Sequence, residues 1–96
     1  MKRYSIIHDM TCCYRCGATH NLHKHEIFFG TSNRQLSIKY GLVVALCGYD
    51  HNQSNVGVHG KNGREFDLYL KKVGQEAFER EYPDLNFREI FGKNYI

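Results

Sequence analysis

The C-terminal half of the chain has a regular pattern of apolar side chains, spaced three or four residues apart. Charged and amide side chains fill the positions between them over residues 65–82. The apolar positions are Phe66, Tyr69, Leu70, Val73, Ala77 and Phe78. This spacing predicts an amphipathic helix over 65–82. Pro83 ends that helix, because proline disfavours helical backbone at the residue before it.

A second, shorter helix is predicted directly after the first. Asp84 or Asn86 can cap its N-terminus with a side-chain oxygen, and Gly92 suits the left-handed residue that follows a helix. Its apolar positions are Phe87, Ile90 and Phe91. Gly74 weakens the long helix by about 1 kcal/mol relative to alanine, and we interpret it as a point of close packing.

The N-terminal half has short apolar runs separated by polar segments, which is typical of strands and loops. The segments 24–28 and 42–46 are the predicted strands, and the polar stretch 30–34 between them is predicted to be a loop. A short helix is expected after the second strand, and Asn62-Gly63 predicts a turn further on. The expected fold class is therefore α+β: a ββα unit, a packing helix and a short C-terminal helix.

The length of 96 residues favours one domain, with residues 1–60 as its ββα half and 61–96 as its helical half. No apolar run approaches the roughly 18 residues of a membrane span. Polar residues follow Lys2 and Arg3, where a signal peptide would continue with an apolar segment. We therefore expect a cytoplasmic protein with no membrane partner.

The net charge of +3 is unevenly distributed along the chain. Residues 1–48 contain six basic and two acidic side chains, whereas residues 49–96 contain seven basic and eight acidic ones. A surface that binds a polyanion would therefore lie on the N-terminal half.

Four cysteines and six histidines in so short a chain favour metal binding over disulfides in a reducing compartment. In Cys13-Tyr14-Arg15-Cys16-Gly17, one tight turn can present two thiolates to a zinc ion, although Cys12 could pair with Cys16 instead. Cys47 is the predicted third ligand. The fourth is Asp50 or His51, or the site is incomplete. Free or buried thiols and disulfides are the alternative.

Histidines form a second group of candidate ligands. Alternation along a strand places His23 and His25 on one face and Glu26 on the other, unless the strand ends there. These imidazoles, with His51 from the following helix and His59 from a loop, could hold a divalent cation with positions open for water and phosphate. The alternative is that His25 is an ordinary strand residue, His59 is solvated and His51 is the fourth zinc ligand.

The order of these motifs resembles the small HNH (ββα-metal) endonucleases of phages and prophages. The resemblance runs from about residue 13 to residue 96 of the chain. It rests on the C-x2-C-G motif, the segments 22–34 and 39–47, His51-Asn52, Gly57-Val58-His59 and the segment 90–96. If the chain is encoded by a phage or prophage, it would act in the cytoplasm of the bacterial host.

The resemblance implies metal-dependent hydrolysis of DNA phosphodiester bonds, with a structural Zn²⁺ and a second divalent ion (Mg²⁺, Mn²⁺, Ni²⁺ or Zn²⁺). His25, His51 and His59 match the ligands of the second ion. Glu26 stands where the family has the histidine that activates water. Because a carboxylate is the weaker base at neutral pH, impaired turnover is expected, unless His23 or His25 takes that role.

Two further features qualify the resemblance. Asp50 breaks the second C-x2-C pair of the family's zinc site, and Tyr40-Gly41 stands where an asparagine usually precedes the second strand. Contacts to the DNA backbone would come from Lys24, Arg34 and Lys39. The competing hypothesis is a non-catalytic zinc module that binds DNA or protein, with His51 completing a Cys3His site.

Overall fold

The computed structural model describes residues 4–30, 32–51 and 63–96 of the chain. The elements in these ranges are β1 (Leu22–Glu26), α1 (Asn33–Tyr40), β2 (Val43–Cys47), α2 (Gly48–His51), α3 (Arg64–Glu81) and α4 (Phe87–Phe91). β1 and β2 pair antiparallel, with Leu22 opposite Cys47 and Glu26 opposite Val43. The expected α+β class is thus confirmed. Asn62 of the predicted turn lies outside the described residues.

Helix α1 differs from the prediction of a loop over 30–34, since the last two residues of that polar stretch form the start of the helix. The helix begins at Asn33 and ends at Tyr40. It is capped by Gly41, whose left-handed φ of 72° lets its N–H reach the carbonyls of Ser37 and Ile38. The Ser37 hydroxyl both accepts from the Phe28 N–H (3.0 Å) and donates to the Phe28 carbonyl (2.7 Å). These bonds satisfy the backbone of Phe28 just beyond the end of β1, so the strand stops two residues earlier than predicted.

The N-terminal segment covers the edge of β2 that faces away from β1. The Ile6 N–H donates to the Gly41 carbonyl (2.9 Å), and the Tyr14 N–H donates to the Ala45 carbonyl (2.8 Å). Between them, the Ala45 N–H donates to Nε2 of His8 (3.0 Å). Because an unpaired strand edge exposes backbone polar groups, this segment completes the sheet without forming a third strand.

The two C-terminal helices confirm the periodicity and capping predictions. Helix α3 matches the predicted 65–82 to within one residue at each end. At α4, the Asn86 side chain accepts from the Glu89 N–H (3.1 Å) and Gly92 has a φ of 85°. None of the helices in the described ranges combines the length and the apolar character needed to cross a bilayer.

An aromatic core joins the helical half to the end of β1. The Phe28 ring is buried, with its centroid 5.1 Å from that of Phe87 and 4.9 Å from that of Phe91. A Cβ atom at Gly74 of α3 would lie 2.9 Å from the Phe28 ring and 3.3 Å from the Ile27 side chain. Gly74 is therefore a point of close packing, as the sequence indicated.

We expect Gly74→Leu to lower the free energy of unfolding by about 2 kcal/mol, because the overpacking exceeds the gain in helix propensity. The exposed Lys72 of the same helix provides the matched control. Lys72→Leu should change stability by less than about 0.5 kcal/mol. Urea denaturation followed by circular dichroism measures both changes. Equal stability of Gly74→Leu and the parent would contradict the packing described above.

A second prediction concerns His8, which accepts its hydrogen bond only as the neutral imidazole. Burial lowers the pKa of His8 below its ordinary value of 6.5, while Asp9 acts in the opposite direction. Below pH 6.5 the unfolded chain therefore takes up a proton that the folded chain still excludes. Stability should fall from that pH down to the lowered folded pKa.

The matched variant is His8→Gln, whose amide oxygen can accept the same hydrogen bond and does not titrate. We expect its thermal stability to depend less on pH between pH 7.5 and pH 5 than that of the parent. Protonation of all other groups, the cysteines included, affects both proteins alike and cancels in the comparison. Identical pH dependence would show that His8 is not a buried acceptor.

Candidate metal centre

Three cysteines converge at the end of the sheet. The Sγ atoms of Cys13, Cys16 and Cys47 all lie within 4.8 Å of one another, and those of Cys16 and Cys47 are 3.6 Å apart. Zinc–sulfur bonds of about 2.3 Å in a tetrahedron place sulfur atoms about 3.8 Å apart. The three sulfur atoms can therefore occupy three corners of a tetrahedron around a metal ion such as zinc.

The cysteine motif forms a tight turn that is attached to β2. The Gly17 N–H donates to the Cys13 carbonyl (2.9 Å), and the Cys13 N–H donates to the Ala18 carbonyl (2.7 Å). Gly17 has a φ of 81°, which glycine adopts without steric cost. Because the Tyr14 N–H bonds to Ala45, two residues before Cys47, the turn lies beside the third thiol.

The first turns of α3 pack against one side of the cysteine turn. The Arg15 guanidinium lies 4.2 Å from the centre of the Phe66 ring. Burial, with a smaller contribution from Tyr69, raises the pKa of the Tyr14 hydroxyl. Cys13 and Cys47 are buried, whereas Cys16 is exposed. The metal centre therefore has one side within the protein and one side towards solvent.

The structure resolves which cysteines cluster. All four cysteines are among the described residues, and none of the four forms a disulfide bond. Cys13 rather than Cys12 joins Cys16 in the group. Among the described residues, no further histidine, cysteine or acidic side chain joins the three thiols. The Asp50 side chain, one of the two predicted fourth ligands, lies outside the described residues.

His51, the other predicted fourth ligand, faces the histidines of β1. Its Nδ1 atom is 2.9 Å from Nδ1 of His23, and its ring centroid is 5.1 Å from that of His25. His25 is buried, with an exposed fraction of 2%, and its ring also lies 5.8 Å from that of Phe29. His59 lies outside the described residues. Three of the predicted imidazoles are thus neighbours.

One short helix connects the thiol cluster with the histidines. Cys47 is the last residue of β2, and α2 consists of the next four residues, ending at His51. The Gly48 N–H donates to the Asn21 carbonyl (3.0 Å), which fixes the start of α2 beside the start of β1. A metal ion bound by Cys47 would therefore also restrict the position of the His51 ring.

The predicted base and phosphate-binding residues lie on β1 and α1. Oε1 of Glu26 is 3.5 Å from Nε of Arg34, with side chains that are 10% and 58% exposed. This ion pair could not be foreseen, because it depends on α1. Lys24 and Lys39 are exposed, and Nζ of Lys39 lies 5.2 Å from the centre of the Tyr40 ring.

Comparison with known proteins identifies no relative of this chain. No protein-family model matches it, and neither a curated protein nor a solved structure is similar to it.

We expect the purified protein to contain one tightly held zinc ion per chain, and Cys13→Ser to lose it. Loss of a structural metal should also lower the melting temperature. Cys12→Ser is the matched control, because Cys12 is the adjacent residue and lies outside the cluster. Elemental analysis after dialysis, together with thermal unfolding, measures both effects. Equal zinc loss in the two variants would contradict the assignment of the ligands.

Proposed function

We propose that the chain is a metal-dependent endonuclease of the HNH type, which hydrolyses DNA phosphodiester bonds. The observation that carries the proposal is the convergence of His51 with His23 and His25, across 28 and 26 residues of sequence. These imidazoles lie one helical turn from a separate three-thiol cluster. A structural metal beside an imidazole group is the arrangement that the resemblance to this family implies.

The imidazoles would hold the second divalent cation. Nitrogen donors of this kind bind first-row transition metals and can leave positions open for substrate. Bound beside a scissile phosphate, such a cation stabilises the developing negative charge and the leaving oxygen. The residues of this chain then have to position the phosphate and take a proton from the attacking water.

Glu26 is the proposed base, because it follows His25 directly at the end of β1. Its carboxylate is largely buried and paired with Arg34, so it must exchange this partner for water in order to act. Arg34 would be free to contact a phosphate oxygen in the same exchange. This requirement for exchange supports the expectation of slow turnover.

DNA would be bound through its phosphates on the basic N-terminal half. Lys24 and Lys39 are exposed, and lysines of this kind contribute non-specific, salt-dependent affinity. The Glu26–Arg34 ion pair also favours a second candidate, a zinc-braced DNA-binding module with no hydrolytic activity. In that case the cation and the base would be unnecessary, and the basic surface would carry the function.

The test is cleavage of supercoiled plasmid in Mg²⁺, Mn²⁺ or Ni²⁺. We expect His51→Ala to reduce the cleavage rate by about 100-fold or more, since it removes a proposed cation ligand. Glu26→His should raise the rate by up to about 100-fold, because imidazole is the better base near neutral pH. Both variants must first show the zinc content and circular dichroism spectrum of the parent.

The matched control is His20→Ala, since His20 is exposed and is not assigned to the site. It should cleave as the parent does. Plasmid that stays intact with the parent and with Glu26→His in all three metals, while still being bound, would identify the binding module. Cleavage unaffected by His51→Ala would also overturn the nuclease proposal.

A further inference from the structure

The three clustered thiols differ in their access to solvent. Cys16 is exposed, whereas Cys13 has an exposed fraction of 2% and Cys47 one of 8%. A small oxidant that reaches the cluster therefore meets the sulfur atom of Cys16 first. A cysteine that coordinates zinc is a thiolate, and the thiolate is the form of the side chain that reacts with oxidants.

A second thiol lies beside the exposed one. The Sγ atoms of Cys16 and Cys47 are 3.6 Å apart, which is direct contact between the two side chains. An accessible thiolate next to another cysteine is typical of sites that oxidise reversibly, because the neighbour converts the first oxidation product into a disulfide. The two residues are 31 positions apart in sequence, so the fold brings them together.

The turn that carries Cys16 allows its sulfur atom to move closer to that of Cys47. A disulfide bond of about 2.05 Å requires the two atoms to approach each other by about 1.5 Å. The turn is held by the bond from the Gly17 N–H to the Cys13 carbonyl, and by the bond from the Tyr14 N–H to β2. Rotation of the exposed Cys16 side chain leaves both of these bonds in place.

We propose that Cys16 and Cys47 form a reversible disulfide when the protein meets a hydroperoxide, and that this disulfide replaces zinc as the link between the cysteine turn and β2. The Cys16 thiolate attacks one oxygen of hydrogen peroxide and becomes a sulfenic acid, while the O–O bond breaks and hydroxide leaves. The Cys47 thiolate then attacks Sγ of Cys16 and expels a second hydroxide. The two sulfur atoms lose two electrons in total, and two protons from solvent convert both hydroxides into water.

Oxidation removes metal ligands but keeps the chain closed at the same point. Cys13 is the one thiolate of the cluster that remains, and tight zinc sites need more than one such donor, so zinc is released. The disulfide closes the same loop as the metal, and closing a long loop restricts the unfolded chain. The oxidised protein therefore stays folded without zinc. This inference goes beyond the proposed function, and no part of it depends on DNA cleavage.

The first test treats the full zinc-loaded chain with hydrogen peroxide. We expect one zinc ion to be released for each disulfide formed, measured with a chromogenic chelator, and dithiothreitol with added zinc should restore the original content. The oxidised, zinc-free protein should melt at a higher temperature than reduced protein from which a chelator has removed the zinc. An oxidised chain that melts no higher than the reduced, zinc-free chain would contradict the replacement of one link by the other.

Peptide mapping of the oxidised protein identifies which cysteines are joined. Trypsin, which cleaves after lysine and arginine, places residues 4–15, 16–24 and 40–61 in separate peptides. The second contains Cys16, the third contains Cys47, and the first contains the other two cysteines. We expect the second and third peptides to be linked. A disulfide from the first peptide to either of the others, as the main product, would overturn the assignment.

Cys16→His tests the role of the exposed sulfur atom, because histidine keeps a zinc donor at this position and cannot form a disulfide. Peroxide should release zinc from this variant at least about tenfold more slowly than from the parent, since the remaining thiols are buried. Cys12→Ser is the matched control and should release zinc at the parent rate, because Cys12 lies outside the cluster. Release at the parent rate from Cys16→His, or slow release from Cys12→Ser, would overturn the proposal. Where Cys16→His does not retain zinc, the peptide map of the parent decides.

Discussion

The rest of the structure depends on the approach of the cysteine turn to Cys47. Thirty-one residues separate Cys16 from Cys47, and their sulfur atoms are 3.6 Å apart. A metal ion at this point would close a long loop. Because the thiols come together only in the folded chain, the free energy of metal binding would contribute directly to folding. Since α2 begins at the next residue, the same closure positions His51. The position of the histidine group is therefore coupled to the three-thiol cluster.

The sheet needs stabilising contacts from outside because it is small. Two strands alone are only marginally stable in water, and β2 is buried along its whole length. One edge is covered by the N-terminal segment through Ile6, His8 and Tyr14. The end of the sheet is covered by the aromatic core of α3 and α4, where Gly74 allows the helix to approach Phe28. Each of these contacts keeps the site-bearing strands in register.

The site combines three kinds of side chain with different environments. The thiols are mostly buried, the imidazoles of His23 and His51 are partly buried in front of the buried His25, and the lysines are exposed. Such a gradient suits a protein that holds one metal for stability and presents another to a charged ligand. The Glu26–Arg34 ion pair joins the end of β1 to α1. Under the proposed function, the exchange of this pair with substrate would decide whether the site is catalytic or only binds.

The sequence by itself determined the features that depend on local periodicity and spacing. The apolar stripe and Pro83 predicted α3, and a cap at Asp84 or Asn86 together with Gly92 predicted α4, whose cap is Asn86. The C-x2-C-G motif predicted two of the three clustered thiols, because a turn of that length brings its cysteines together. These features involve residues close in the chain, so the sequence pattern was sufficient.

Only the tertiary structure decided the contacts between distant segments. Helix α1 has a weak apolar pattern and depends on the bonds of Ser37 to Phe28, so its ion pair with Glu26 could not be predicted. The contact of His23 with His51 requires the register that sets Leu22 opposite Cys47, followed by one turn of helix. A shift of one residue in that register would turn His23 to the other face of the sheet. Pairing and packing, which act across the chain, therefore set the geometry of the histidine group.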